Sequence, residues 1–365
     1  MWRFKSFAPS LGKSRFVSSE NRLSFFKQQS RLNACLRWTA TSPLACYNRL
    51  TMILVTGGTG FIGKVLVRNL VESGYPVRTL IRPSTQTPDL PLGVPVEVAV
   101  SSLSDVRSLR AAMVGVDVVY HLAGVERGSA YASLNEVDIQ GTRVVAQVAA
   151  DARVDRFFFL SHLGADRGSA YRVIRAKGIA EDFVRRSGID YTIFRSAIVY
   201  GPQDGFTTGL ARLLHALPSL FLIPGDGKTL LQPLWVEDLA TCLTWALDDA
   251  TTRNNTYEVG GPEYFTFKQI VEMIMQATEI RRRLVHTRPP YLRFLTTLLD
   301  VIFPGFPSSI YWLDYLAINR TCPLDTIPRA FNLMPARMPQ RLDYLEDQDW
   351  QSSFWQSLFR RRRKR

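Results

Sequence analysis

Met52-Ile53-Leu54-Val55-Thr56-Gly57-Gly58-Thr59-Gly60-Phe61-Ile62-Gly63 decides how this chain is read. Ile53-Leu54-Val55 is a short apolar run of the kind that forms a buried strand. Beyond the glycines, Val65, Leu66, Leu70 and Val71 recur at helical spacing on one face, and the pattern ends near Gly74. A glycine-rich turn between a strand and a helix has a physical use. The turn satisfies G-x-G-x-x-G through Gly58, Gly60 and Gly63, and T-G-x-x-G-x-x-G through Gly57, Gly60 and Gly63. Such glycines permit a tight turn, let the backbone approach a pyrophosphate and allow close helix–sheet packing. The helix N-terminus adds N–H donors and a partial positive charge. The loop therefore reads as a dinucleotide cradle, with Gly57, Thr59, Gly60, Phe61, Ile62 and Gly63 against the cofactor.

The alternation continues outward. Val77–Ile81 and Val96–Val100 read as strands, and Ser104 is placed to cap a helix with Val106, Leu109 and Met113 on its apolar side. Val116–Leu122 is a fourth strand, followed by a helix over about 132–152. Phe157–Leu160, a helix over about 170–187, and Tyr191–Phe194 complete the series. Strands alternating with helices call for an α/β fold, a Rossmann-type doubly wound parallel sheet. The expected organisation is a dinucleotide-binding domain over 52–200, a smaller C-terminal lobe over 201–345 that completes the fold, and a tail over 346–365.

The end of the second strand bears on the choice of cofactor. An acid there would bind a ribose 2′-hydroxyl, whereas this chain has Thr79-Leu80-Ile81-Arg82-Pro83. Arg82 stands where a guanidinium can pair with a 2′-phosphate, which points to NADP(H) with NAD(H) as the alternative. The plainer reading makes Arg82 a solvated loop residue.

The net charge of +13 is unevenly distributed. Residues 1–51 hold nine basic residues and one acid, and residues 360–365 are all basic, leaving the rest close to neutral. The body is thus no basic nucleic-acid surface. Cys35, Cys46, Cys242 and Cys322 form no CxxC pair, so neither a zinc site nor a disulfide framework is indicated. The first 51 residues are rich in Arg, Ser and Phe and lack a sustained period. They read either as a mitochondrial transit peptide or as a leader from a mis-assigned start before Met52. The corresponding locations are the mitochondrial matrix side in the first case, and the cytoplasm, peripheral to a membrane, in the second.

From Met52 to about Leu345 the chain resembles the extended and atypical short-chain dehydrogenase/reductase superfamily, in its epimerase/dehydratase branch. The resemblance rests on TGGTGFIG at 56–63, HLAG at 121–124, DIQGT at 138–142, Lys177 with Glu181, YGPQD at 200–204 and LQPLWVEDLA at 231–240. Within that branch it runs toward the nucleotide-binding accessory subunit of respiratory complex I and its bacterial relatives. The resemblance implies that Leu122, Ala123 and Gly124 line the cofactor, that Lys177 meets the nicotinamide ribose, and that Tyr200 and Gly201 lie near the carboxamide. His121 reads as scaffold.

The catalytic set departs from that family. Active members carry Tyr-x-x-x-Lys on one helix, a spacing that puts both side chains on one face and lets the lysine ease proton exchange at the tyrosine. Here Val173 stands four before Lys177, and Tyr171 is six before it. Ser161 follows the fifth strand, but His162-Leu163 come next, and the family's Asn before Gly-Thr is Asp138. Lys177 and Ser161 remain the catalytic candidates, and Glu181, four after Lys177, is placed to pair with it. Two classes of function stay open. One is an NADPH-dependent oxidoreductase or nucleotide-sugar epimerase/dehydratase. The other is a non-catalytic or atypical NADP(H)-binding protein of a membrane complex, which the missing tyrosine and the tail favour.

Two further stretches carry alternatives. Tyr291 to Leu316 is strongly apolar, but Arg293, Asp300 and Pro304 interrupt it, so it reads as a packed helix pair or as a surface resting on a membrane or partner. In the tail, Trp350, Phe354 and Leu358 recur at i, i+4, i+8 before the basic run. That is the pattern of an interfacial helix on a membrane surface or membrane complex, or else of a solvated tail.

Overall fold

The computed structural model describes residues 51–360 apart from 85–86, 92, 126–133, 217–218 and 303–309. The leader over 1–50, with Cys35 and Cys46, and the basic residues 361–365 lie outside the described residues.

Seven parallel strands form the central sheet: β1 (Ile53–Thr56), β2 (Val77–Ile81), β3 (Glu97–Val100), β4 (Val118–His121), β5 (Arg156–His162), β6 (Asp190–Ser196) and β7 (Asn255–Val259). Their order is β7-β6-β5-β4-β1-β2-β3. The chain thus winds one way from β1 to β3 and then crosses back to β4, so the carboxyl ends of β1 and β4 flank the point where the direction reverses. β1 is buried along its whole length, between two apolar layers: Leu66, Val67 and Leu70 pack with Ile53 and Val55, and Val145 and Ala149 with Leu54. Alternation of side chains across the strand sends Leu54 to the opposite face from its neighbours.

The helices follow the expected series. They are α1 (Phe61–Glu72), α2 (Val106–Ala112), α3 (Thr142–Asp151) and α4 (Arg172–Arg185). Then come α5 (Thr207–Ala216), α6 (Val236–Asp248), α7 (Phe267–Ala277), α8 (Pro289–Ile302), α9 (Ile310–Tyr315), α10 (Thr326–Phe331) and α11 (Trp350–Arg360). Several boundaries differ from the sequence reading for identifiable reasons. Asp105, not Ser104, caps α2, because its carboxylate accepts from the N–H groups of Arg107 and Ser108. The helix expected over 132–152 is wound as a π-helix over Asn135–Gly141 before α3 begins. A division at residue 200 does not follow the sheet, since β7 comes from the second half of the chain and pairs in register with β6, Asn255 opposite Thr192 through Val259 opposite Ser196.

Elements after β6 form a second apolar cluster around Phe206, Leu210, Phe267, Ile270, Tyr311, Leu345 and Trp350. In α11, Trp350 and Phe354 are buried, and the Trp350 indole donates to the Leu345 carbonyl at 3.0 Å. The first two positions of the i, i+4, i+8 stripe thus pack inward, as the apolar face of an amphipathic helix on a globular body does, while the side chain of Leu358 and the basic residues 361–365 lie outside the described residues. Asp238 accepts the Ala336 N–H at 2.7 Å and so ties α6 to the chain after α10.

Arg156 closes the sheet at depth. Its side chain is fully buried and donates to the Leu247 carbonyl at 3.1 Å and the Thr192 hydroxyl at 3.0 Å, as well as to Thr252. It thereby staples β5 to β6 and to the connection between α6 and β7. Arg156→Met would leave these buried acceptors unpaired and should cost about 3 kcal/mol, read as a lower urea midpoint.

Candidate functional site

The carboxyl ends of β1, β2 and β4 open onto a cavity of about 1000 Å³. The glycine loop forms its floor. Gly57 turns with φ +79°, and a Cβ there would lie 2.8 Å from the Ala123 amide nitrogen. A Cβ on Gly63 would lie 2.1 Å from the Gly57 carbonyl oxygen, so α1 meets the loop with no room for a side chain. The turn glycine is therefore Gly57, while Gly58 makes room for the Thr79 side chain. α1 begins after Gly60 with no side-chain cap and no acid in its first turn, so its leading N–H groups face the cavity without a protein anion. That donor set and the emptied Cβ positions fit a dinucleotide pyrophosphate.

Gly57, Thr59, Gly60, Phe61, Ile62, Gly63, Arg82, Leu122, Ala123, Gly124, Ser161 and Lys177 all line the cavity. Arg82 is exposed at its rim and has no ion-pair partner among the described residues. Ser101, Ser102 and Ser104, just past β3, lie on the same side. Sequence reading gave Ser104 only a capping role and passed over Ser101 and Ser102, although a hydroxyl cluster after a strand end was a visible signal. Tyr200 and Gly201 are absent from the lining. The Tyr200 ring is fully buried against Trp235, with centroids 5.3 Å apart, and burial pushes its phenol up. Neighbours on a strand point to opposite sides, so Val199 lines the cavity instead. Within the same motif Asp204 accepts from the N–H groups of Thr207 and Thr208, at 3.1 and 2.8 Å, and so fixes the start of α5.

The catalytic candidates are engaged elsewhere. Lys177 is buried, with Nζ 3.0 Å from Asp138 Oδ1. The other Asp138 oxygen accepts the Val125 N–H at 3.0 Å. The wide turn of the π-helix carries Asp138 inward to meet the lysine. Gly124 leaves space for the pair, since a Cβ there would lie 3.0 Å from both charged atoms. The pairing of Lys177 with Glu181 expected from i, i+4 spacing is therefore overturned. Glu181 instead accepts from Ser161 at 2.6 Å, Arg185 at 2.8 Å and Arg195 at 2.9 Å. The Ser161 proton is committed to that carboxylate. Val173, at the family's tyrosine position, is buried in the apolar cluster. Tyr171 sits before the helix with extended backbone (φ −83°, ψ 119°), and its side chain does not line the cavity.

His121 is scaffold, as read: its ring nitrogens meet the Thr56 hydroxyl at 2.6 Å and the Thr142 hydroxyl at 3.0 Å. Burial, and then the charge of Lys177, push its pKa down to about 3. His162 is likewise pushed down to about 3, by burial and by Lys177 and Arg320. It faces the inner end of the cavity with Phe206, Tyr311, Trp312 and Tyr315, and its ring centroid is 6.3 Å from that of Tyr311. These aromatics come from the residue just before α5 and from α9, beyond the reach of motif reading, and the only sequence signal was the Tyr-Trp-x-x-Tyr run at 311–315.

Comparison with known proteins follows this geometry. A family model described as NAD(P)H-binding matches residues 57–212, and one described as the NAD dependent epimerase/dehydratase family matches residues 169–260. The chain is 32% identical over 276 residues to NADH dehydrogenase [ubiquinone] 1 alpha subcomplex subunit 9, mitochondrial, of Arabidopsis thaliana, covering 72% of this chain and 68% of that one. It is 33% identical over 195 residues to ceramide reductase of Caulobacter vibrioides, covering 53% and 59%. The chain thus spans between 59% and 68% of the length of these relatives. The crystal structure of Thermus thermophilus UDP-glucose 4-epimerase with NAD has a TM-score of 0.61 at 20% identity, over 81% of this chain and 97% of that one, a likeness of fold.

Two predictions arise from the site. Gly63→Ala should abolish dinucleotide binding and lower the melting temperature, because the added methyl would occupy the Gly57 carbonyl; differential scanning fluorimetry with and without NADPH checks both effects. His121, fully buried, and His162, half-buried at the cavity wall, predict a pH dependence. Each is neutral when folded down to about pH 3, whereas an unfolded histidine takes a proton below 6.5. Their contribution to stability is therefore complete above pH 6.5 and is lost as the pH falls toward about 3. Urea titrations between about pH 7 and about pH 5 should show this slope, and His162→Phe should flatten it.

Proposed function

This chain belongs to the NAD(P)-binding epimerase/dehydratase family of the short-chain dehydrogenase/reductase superfamily, and from that premise we propose that it retains NADP(H) without transferring hydride, as a subunit or assembly component at a membrane complex. One observation carries the reading: Lys177 is neutralised by Asp138 at 3.0 Å, with Val173 where the proton-transferring tyrosine would stand. When bound, the cofactor would bring a hydride donor to the inner end of the cavity. The residues that would hold it are Gly57, Thr59, Gly60, Phe61, Ile62 and Gly63 at the pyrophosphate, Arg82 at the 2′-phosphate, and Leu122, Ala123 and Gly124 along the inner ribose. No described residue is positioned as the family's tyrosine would be, and Ser161 offers only lone pairs. Likeness to a mitochondrial NADH dehydrogenase subunit supports the assembly role. The location consistent with it is peripheral to a membrane, on the cytoplasmic side, or on the matrix side if residues 1–51 act as a transit peptide.

A second reading, an NADPH-dependent reductase, draws on Tyr311 and Tyr315, which line the cavity beside His162. In that case a phenol from α9 would supply the proton that α4 lacks. Phe206, Tyr311, Trp312 and Tyr315 wall this end beside His162 and Ser196, and of the two cations around it Lys177 is paired with Asp138 while Arg320 lies over the Tyr315 ring and donates to the Leu163 carbonyl. An apolar carbonyl compound suits such walls better than a nucleotide sugar.

Cofactor titration and turnover test both readings. NADPH should bind more tightly than NADH, and Arg82→Ala should remove a preference of roughly tenfold to a hundredfold, the worth of a charge-assisted phosphate contact. Bound NADPH should stay reduced when the full chain is offered a panel of apolar ketones and aldehydes. Oxidation that ceases in Tyr311→Phe or Tyr315→Phe would instead establish the reductase.

A further inference from the structure

α8 turns to solvent a face whose composition belongs in a core. Tyr291, Phe294, Leu295, Leu298 and Ile302 are 67%, 73%, 38%, 45% and 51% exposed, whereas Leu292 and Thr296 are buried. The exposed positions fall at i, i+3, i+4, i+7 and i+11, a single stripe along the helix. Apolar residues scattered over a surface need no explanation, but five on one helix face do. The helix is seated by its narrow side, and Arg293 is paired with Asp314 of α9.

The sequence that leads into this stripe is basic. From Ile280 to Ile302, the end of α8, the sequence holds five arginines, at 281, 282, 283, 288 and 293, against one acid, Asp300. Arg281, Arg283 and Arg288 are exposed. Among the described residues no helix is long and apolar enough to cross a membrane, and α8 has only 14 residues. Such a helix suits the plane of a bilayer surface: acyl chains take the aromatic and aliphatic side chains, and anionic headgroups take the guanidinium groups.

We propose that α8 is an in-plane docking helix for an anionic lipid bilayer, seated through Tyr291, Phe294, Leu295, Leu298 and Ile302 and oriented by Arg281, Arg283 and Arg288. The proposal deepens the membrane-peripheral reading above and rests on it for location alone. It gives the protein a lipid contact of its own, separate from any protein partner. It also sets the bilayer one helix away from α9, whose aromatics wall the cavity.

Vesicle flotation with the purified full chain tests it. The chain should float with phosphatidylcholine vesicles containing phosphatidylglycerol and far less with phosphatidylcholine alone. Phe294→Glu/Leu298→Glu should reduce flotation about tenfold or more, with melting temperature and NADPH binding unchanged. Tyr291→Glu/Phe294→Glu serves as a second disruption of the same face. Arg281→Glu/Arg283→Glu/Arg288→Glu should remove the preference for anionic vesicles. Flotation that survives both apolar variants but is lost on deleting residues 361–365 would overturn the proposal in favour of the basic terminus. A wild-type dimer that becomes a monomer in Phe294→Glu/Leu298→Glu, with no vesicle binding by either, would assign the face to a second copy. The assay contains no partner complex and needs no cofactor, so its failure leaves the nucleotide-binding reading standing, and the reverse also holds.

Discussion

Lys177 and Asp138 face each other 3.0 Å apart, both with side chains almost wholly removed from water, and much of the site is arranged around them. A buried ammonium without a partner would be costly, and a buried carboxylate equally so. The pair resolves both, and it makes demands on its neighbours. Gly124 has to lack a side chain, the Val125 amide has to point at the second carboxylate oxygen, and the chain before α3 has to widen into a π-helix to bring Asp138 inward. Phe159 lies beneath the ammonium, with its ring centroid 5.3 Å away. The lysine's charge also helps keep His121 and His162 neutral. The lysine to which the family resemblance gives a part in proton exchange is thus also bound into the packing between β4, β5 and α4.

How much of this was legible in the sequence depended on whether a property is local. The glycine loop was, because turn, strand and helix are specified by adjacent residues, and Gly57, Gly60 and Gly63 stand where the pattern put them. The series of strands and helices to β6 was readable for the same reason, with ends displaced by a residue or two. The neutral role of His121 followed from its place at a strand end. The partner of Lys177 was not legible: i, i+4 spacing nominated Glu181, whereas Arg195 from β6 and the Ser161 hydroxyl from β5 claim that carboxylate across the sheet. Tyr200 was carried over with a motif whose acid, Asp204, turned out to cap a helix. The aromatic wall of the cavity lies more than a hundred residues beyond the loop it faces, and no period or spacing connects the two.

The tail and α8 show the same limit from opposite sides. Both are amphipathic in sequence, and the pattern records only that one face avoids water. Trp350 and Phe354 find cover within the protein, while Phe294 and Leu298 do not. Accessibility, unlike periodicity, is a property of the assembled fold.

The position of β7 bears on how the molecule is made. A chain interrupted anywhere before Asn255 would leave β6 as an open edge, with unpaired backbone groups where a strand should lie. If the interruption falls before Leu247, Arg156, buried deep in β5, also lacks the carbonyls of Leu247 and Asp249. During synthesis the nucleotide-facing half therefore emerges complete in motif but unfinished in structure, and it cannot close until well over a hundred further residues have followed the glycine loop out of the ribosome. Such a molecule would be exposed to proteases and to chaperones for longer than its first, well-formed βαβ unit would suggest.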